Sequence, residues 1–121
     1  MTQKEAVSFC ESEQEVPAHL IEVDSQEENQ AIHCEDERRE KTYRGYKQIR
    51  YWMGIKEWAG EWIRESDGKS ITFFNWLRTM GNTDFACAIL QRSPRGTFWK
   101  DKDCDMTRSS TYIFSALCEL D

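Results

Sequence analysis

Along the first third of the chain apolar residues are sparse and spaced as on a helix; further on they gather into short dense runs. In residues 4–10, Ala6, Phe9 and Cys10 fall on one helical face. Thr2 with Glu5 three positions on has the spacing by which a hydroxyl and a carboxylate satisfy each other's backbone N–H groups at a helix start. A helix is predicted there, ending near Pro17, and residues 19–23 (His-Leu-Ile-Glu-Val) read as a short strand. Asp24 or Ser25 then caps a second helix from Gln26 to about Glu40, with Ala31 and Ile32 facing inward. The rest of that segment is so polar that it should cover the core rather than form it. Residues 42–50 give no assignable pattern.

From Tyr51 the pattern changes. Residues 51–55 are an aromatic-rich run expected at the centre of the core, 58–63 a turn and a strand, 66–69 a tight turn and 73–76 a further apolar run. Residues 112–118 form the last predicted strand. Between Cys87 and Cys104, two β-forming runs (88–91 and 97–99) flank the turn sequence Ser93-Pro94-Arg95-Gly96, so a hairpin is predicted with a cysteine at each end. Four consecutive charges, Lys100 to Asp103, follow the second run, and the chain is expected to surface there. Two helices early and several short strands late predict an α+β domain.

Composition narrows the function classes. A chain of 121 residues with 39% hydrophobic content has the size of one domain with one core, read as residues 1–121. A net charge of −6 with interspersed signs argues against a nucleic-acid partner, which needs a basic stripe. No run approaches the roughly 20 apolar residues of a membrane helix, so no membrane insertion is expected, and residues 1–5 lack the apolar segment of a signal peptide. The five cysteines show no zinc-ligand spacing and predict disulfides, hence an oxidising, extracellular setting for a secreted protein. An enzyme is not expected: there are only His19 and His33, no nucleophile elbow and no phosphate loop, and Glu57, Glu61 and Glu65 read as a solvated turn around Trp62.

The order of landmarks, residues 6–10, His19 through Glu28, Trp52-Met53-Gly54-Ile55, Glu61-Trp62, Asp67-Gly68, Phe74-Asn75-Trp76, Cys87, Trp99-Lys100-Asp101, Cys104 and Leu117-Cys118-Glu119, resembles the C-type lectin-like domain over nearly the whole chain. The family's first strand, with its usual tyrosine, has no counterpart, which leaves one sheet edge open. The resemblance implies a fold of two helices packed on short antiparallel sheets, stapled by two disulfides, Cys10 to Cys118 and Cys87 to Cys104. Cys34 is then the odd cysteine, a passive thiol or a bridge to a second chain in a disulfide-linked dimer.

In calcium-dependent members of that family the sugar-binding ion takes ligands from a proline-containing tripeptide after the equivalent of Trp76, a glutamate before Cys87 and an Asn-Asp pair after Trp99. Here residues 77–84 hold no such tripeptide, Phe85 stands at the glutamate, Lys100 at the asparagine, and only Asp101 matches. Calcium needs about six to eight oxygens, so no cofactor is expected at this site. Arg78, Asn82, Asp84, Phe85, Lys100 and Asp101 instead supply polar groups beside an aromatic face, the chemistry a sugar ring needs. A structural calcium site seen in some relatives would map to the Val23 carbonyl, Glu28, Glu119 and Glu35. The expected function is a secreted lectin binding carbohydrate without calcium, favouring N-acetylated sugars, in innate recognition or agglutination. The alternative is a calcium-independent module that binds a protein partner, favoured if Trp58 and Met80 lie on one open patch.

Overall fold

The computed structural model describes residues 1–12, 15–42, 48–77, 85–93, 96–108 and 112–120. Helix α1, Gln3–Ser12, begins at the predicted cap: Glu5 donates its N–H to Thr2 Oγ1 at 3.1 Å, and Thr2 donates its own to Glu5 Oε1 at 2.9 Å. Its inner face runs through Gln3, Ala6 and Cys10, all buried. Phe9, expected on that face, stands at its exposed edge.

Strand β1, Ala18–Leu20, leads to helix α2, Gln26–Thr42, whose cap is Ser25: its Oγ accepts the Glu28 N–H at 3.2 Å. Of the two residues predicted to face inward, Ile32 packs against the core while Ala31 is exposed. The inner face is completed by polar groups. Buried Asn29 donates Nδ2–H to the Thr97 carbonyl at 2.7 Å, and His33 Nδ1 lies 2.9 Å from Thr97 Oγ1. The helix is therefore docked partly by hydrogen bonds, which hydrophobic periodicity cannot register.

The remaining strands are β2 (Gln48–Trp58), β3 (Glu61–Arg64), β4 (Cys87–Ser93), β5 (Gly96–Lys102), β6 (Tyr112–Ala116) and β7 (Cys118–Leu120). One sheet pairs β1 with β7 antiparallel; the other has the order β3-β2-β4-β5, with β6 also on β2. The β2–β6 pair is parallel, from Gln48 opposite Tyr112 to Trp52 opposite Ala116, an addition to the antiparallel pairings expected. The predicted last strand is divided at Leu117, whose carbonyl accepts the Ile21 N–H at 2.8 Å as the chain passes from one sheet to the other.

Side chains alternate across the larger sheet and fill two clusters. On one side Trp52, Cys87, Ile89 and Phe114 meet Ala6 and Cys10 of α1 together with Leu20. On the other, Met53, Ile55, Ala88, Leu90 and Trp99 meet Ile21 and Val23. The expected centrality of residues 51–55 is borne out, since Trp52 and Met53 are each fully buried, one in each cluster. Gly54 lies where β2 passes the segment after β1: its N–H donates to the Ile21 carbonyl at 2.7 Å, and a Cβ there would stand 2.6 Å from the Leu20 oxygen.

Both disulfides implied by the resemblance are present. Cys10–Cys118 ties α1 to β7, and Cys87–Cys104 closes the β4–β5 hairpin. The hairpin runs longer than predicted. β5 continues through the charged run to Lys102: Lys100 is exposed as expected, but Asp101 turns back into the protein and remains buried at 7% exposure.

Candidate functional site

Strand alternation decides how the predicted face is built. Thr97, Trp99 and Asp101 share the buried side of β5 nearest α2 and the apolar run 73–77, whereas Phe98, Lys100 and Lys102 project to the opposite side. Lys100 and Asp101 were both expected on the sugar-binding face. They point to opposite faces of the sheet. Lys100 acts electrostatically on Lys102 and Tyr112 instead: the Lys102 pKa is lowered by burial and then by the Lys100 charge, and that of Tyr112 by the hydrogen bond from Gln91 and by the neighbouring cations Arg50 and Lys100.

Asp101 is committed to the main chain, its Oδ2 accepting the Phe85 N–H at 2.9 Å. That bond fixes Phe85, whose ring is 47% exposed, at the start of β4's approach. Two positions back, buried Trp99 bonds the neighbouring run through its backbone, donating to the Asn75 carbonyl at 2.8 Å and accepting from the Leu77 N–H at 2.9 Å. Trp76 meets Trp99 edge-on at 5.5 Å and Trp62 at 4.9 Å, so Trp76 and Trp62, partly buried, pack on the core ring of Trp99, while Phe74 and Leu77 beside them are exposed. Phe74 and Leu77 were not among the predicted site residues, because exposed and buried apolar side chains read alike in an apolar run. Of the predicted set, the structure brings Phe85 and Asp101 together and turns Lys100 away; Arg78, Asn82 and Asp84, like Met80, lie outside the described residues. Trp58 is 66% exposed at the tip of the β2–β3 hairpin, with the Lys56 ammonium 5.9 Å from its ring.

A second polar cluster joins the first strand to the last. His19 and Glu119 are directly opposed in the β1–β7 pair, and His19 Nε2 lies 2.8 Å from Glu119 Oε1 and 3.6 Å from Glu22 Oε1. Glu119 Oε1 also accepts the Glu22 N–H at 2.9 Å. Glu22 is 5% exposed, its carboxylate held by the Ser66 N–H at 3.1 Å and the Ser66 hydroxyl at 2.8 Å. Burial raises the Glu119 pKa against the opposing pull of the Glu22 N–H and His19. The structural calcium set overlaps this cluster at Glu119. Glu28 Oε2 accepts the Asp24 N–H at 2.9 Å, Glu119 is engaged by His19 and Glu22, and Glu35 is exposed. Glu61 and Glu65 go to separate partners, Ser70 Oγ at 2.8 Å and Gln3 Nε2 at 3.2 Å.

The chain belongs to the C-type lectin family: the family model described as "Lectin C-type domain" matches residues 1–113. Recognition of carbohydrate or protein is the general function of that class. Among solved structures the chain is similar to ovocleidin-17, a major protein of the Gallus gallus eggshell calcified layer, at 25% identity and TM-score 0.67, covering 98% of this chain and 83% of that one. It is also similar to the carbohydrate-recognition domain of mouse scavenger receptor C-type lectin, at 26% identity and TM-score 0.60, covering 87% and 75%. The C-type lectin domain of murine dendritic cell inhibitory receptor 2, solved in complex with N-glycan, shares the fold at 21% identity and TM-score 0.60, covering 85% and 73%. No curated protein sequence matches the chain.

Proposed function

We propose that residues 1–121 act as one non-enzymatic recognition domain, secreted to an oxidising compartment, that binds carbohydrate without calcium. The binding face is the one around Phe85, with Phe74 and Leu77 on the neighbouring run and Arg78, Asn82 and Asp84 supplying polar contacts. The observation that carries this reading is the Phe85–Asp101 bond. The one carboxylate matching the family's sugar-site calcium ligands is 7% exposed and accepts a backbone N–H, and an exposed ring stands at the position of a ligand glutamate. A ring held this way offers its face to the C–H surface of a sugar and to the methyl of an acetamido group. N-acetylated sugars are accordingly the proposed ligands, in innate recognition or agglutination. Lys100, on the far side of β5, is outside this face.

A single shallow site binds weakly, and pairing would raise avidity. Cys34 is an exposed free thiol on α2 and is the proposed bridge of a disulfide-linked dimer. Non-reducing electrophoresis of oxidised protein should show a dimer that Cys34→Ser abolishes; monomer alone contradicts the bridge.

A second reading, a calcium-independent protein-binding module, is favoured by exposed apolar side chains, Trp58 at 66% and Phe74 at 51%. The two separate on a glycan array run with calcium and with chelator. The carbohydrate reading predicts hits under both conditions, weakened about tenfold (~1.4 kcal/mol) by Phe85→Ala. A blank array under both conditions removes it in favour of a protein ligand.

A further inference from the structure

We propose that His19, Glu22 and Glu119 form a binding site for a zinc-class divalent transition metal, clipping the first strand of the fold to the last. The inference is independent of the glycan reading. One donor atom from each residue lies within 4.8 Å of the others: an imidazole nitrogen and two carboxylate oxygens. One nitrogen with two carboxylates suits zinc, which takes mixed nitrogen and oxygen ligands in fourfold geometry, whereas calcium prefers an all-oxygen shell of six or more.

Bonds of about 2.0–2.1 Å in a tetrahedron place ligand atoms roughly 3.4 Å apart. The His19–Glu22 separation of 3.6 Å already matches, and the 2.8 Å His19–Glu119 contact needs to open by only about half an ångström. The frame is fixed from several directions. His19 and Glu119 are register partners, Glu22 is gripped by both the N–H and the hydroxyl of Ser66, and its Cγ lies 3.1 Å from where a Cβ on Gly54 would stand. Such outer bonds orient carboxylate ligands and strengthen binding. The side chains of His19 and Glu119 are 18% and 26% exposed, which leaves an open direction for water or a ligand's donor as the fourth position. Two ionised carboxylates beside a neutral imidazole would together balance the charge of a divalent ion.

The test is zinc chloride titrated into the whole chain carrying Cys34→Ser, which removes the exposed thiol as a competing ligand, with calorimetry and thermal unfolding as readouts. One-site binding with a raised Tm is expected, weakened more than about tenfold by His19→Gln and by Glu119→Gln. Glu28→Gln, which removes none of the three ligands, should leave one-site binding in place, and calcium chloride should not substitute. Circular dichroism checks that each variant folds; should Glu119→Gln fail to fold, His19→Gln decides. Absence of one-site zinc binding, zinc binding indifferent to His19→Gln, or binding that follows calcium and is lost with Glu28→Gln would each overturn the proposal. Glycan binding plays no part in the readout, so failure here leaves the recognition reading standing.

Discussion

At the scale of single residues, the positions that matter most are those where one atom decides a close approach. A methyl group at Gly54 would meet a backbone oxygen that has nowhere to go, so Gly54→Ala should destabilise the domain by about 1–3 kcal/mol in urea unfolding. A variant as stable as the parent would mean that β1 can shift freely. Thr2→Ala removes the hydroxyl half of the reciprocal cap and should cost about 1 kcal/mol. The Asp67 carboxylate is held below its ordinary pKa by the Lys69 N–H and then by Arg64. Because the folded pKa lies under the unfolded one, the stabilisation is fully present above the unfolded value and lost as pH falls through the folded one. Asp67→Asn should therefore lower stability at neutral pH, with a difference from the parent that fades on acidification; a pH-independent difference would contradict the assignment. Residue reading from sequence found the Thr2–Glu5 pair, because a cap is a local pattern. It missed the link of His19 to Glu119, whose partners stand 100 positions apart, and it placed Lys100 beside Asp101 because adjacency in sequence is not adjacency on a strand.

At the scale of elements, helices and strands were legible where apolar spacing was regular and blurred where polar groups dock an element. α1 and the β4–β5 hairpin follow the predicted pattern, while α2 turns Asn29 and His33 inward rather than Ala31. The charged run 100–103 looked like an exit from the sheet. Asp101 stays inside because Phe85 supplies a hydrogen-bond donor across a gap of 16 residues, which no local pattern encodes. The β2–β3 turn makes its own prediction. Ala59 has φ 51 and Gly60 φ 84, left-handed at both positions as in a two-residue type I′ turn, and alanine is strained there. Ala59→Asn should stabilise the hairpin, by about 0.5–1 kcal/mol in urea unfolding, and a loss of stability would show the turn to be of another kind.

At the scale of the molecule, the fold brings its beginning and end together. Cys10 and Cys118 are 108 residues apart, and β1 pairs with β7, so the domain is closed covalently as well as by hydrogen bonds. In the chain-entropy account that bridge contributes on the order of 4–5 kcal/mol, and the Cys87–Cys104 bridge, spanning 17 residues, about 3 kcal/mol. Replacing Cys10 and Cys118 by serine should therefore lower Tm more than replacing Cys87 and Cys104. The family and both pairings could be read from ordered landmarks scattered along the chain. The recognition face could be read only in part, since what Phe85 and Asp101 do depends on which side of β5 each residue faces. Glycan binding measured with saturating calcium and again with chelator is the most direct test of calcium-free recognition. Binding to N-acetylated sugars should be of equal strength in both and weakened about tenfold by Phe85→Ala; binding that requires calcium, or that ignores the loss of the Phe85 ring, would contradict calcium-free recognition at this face.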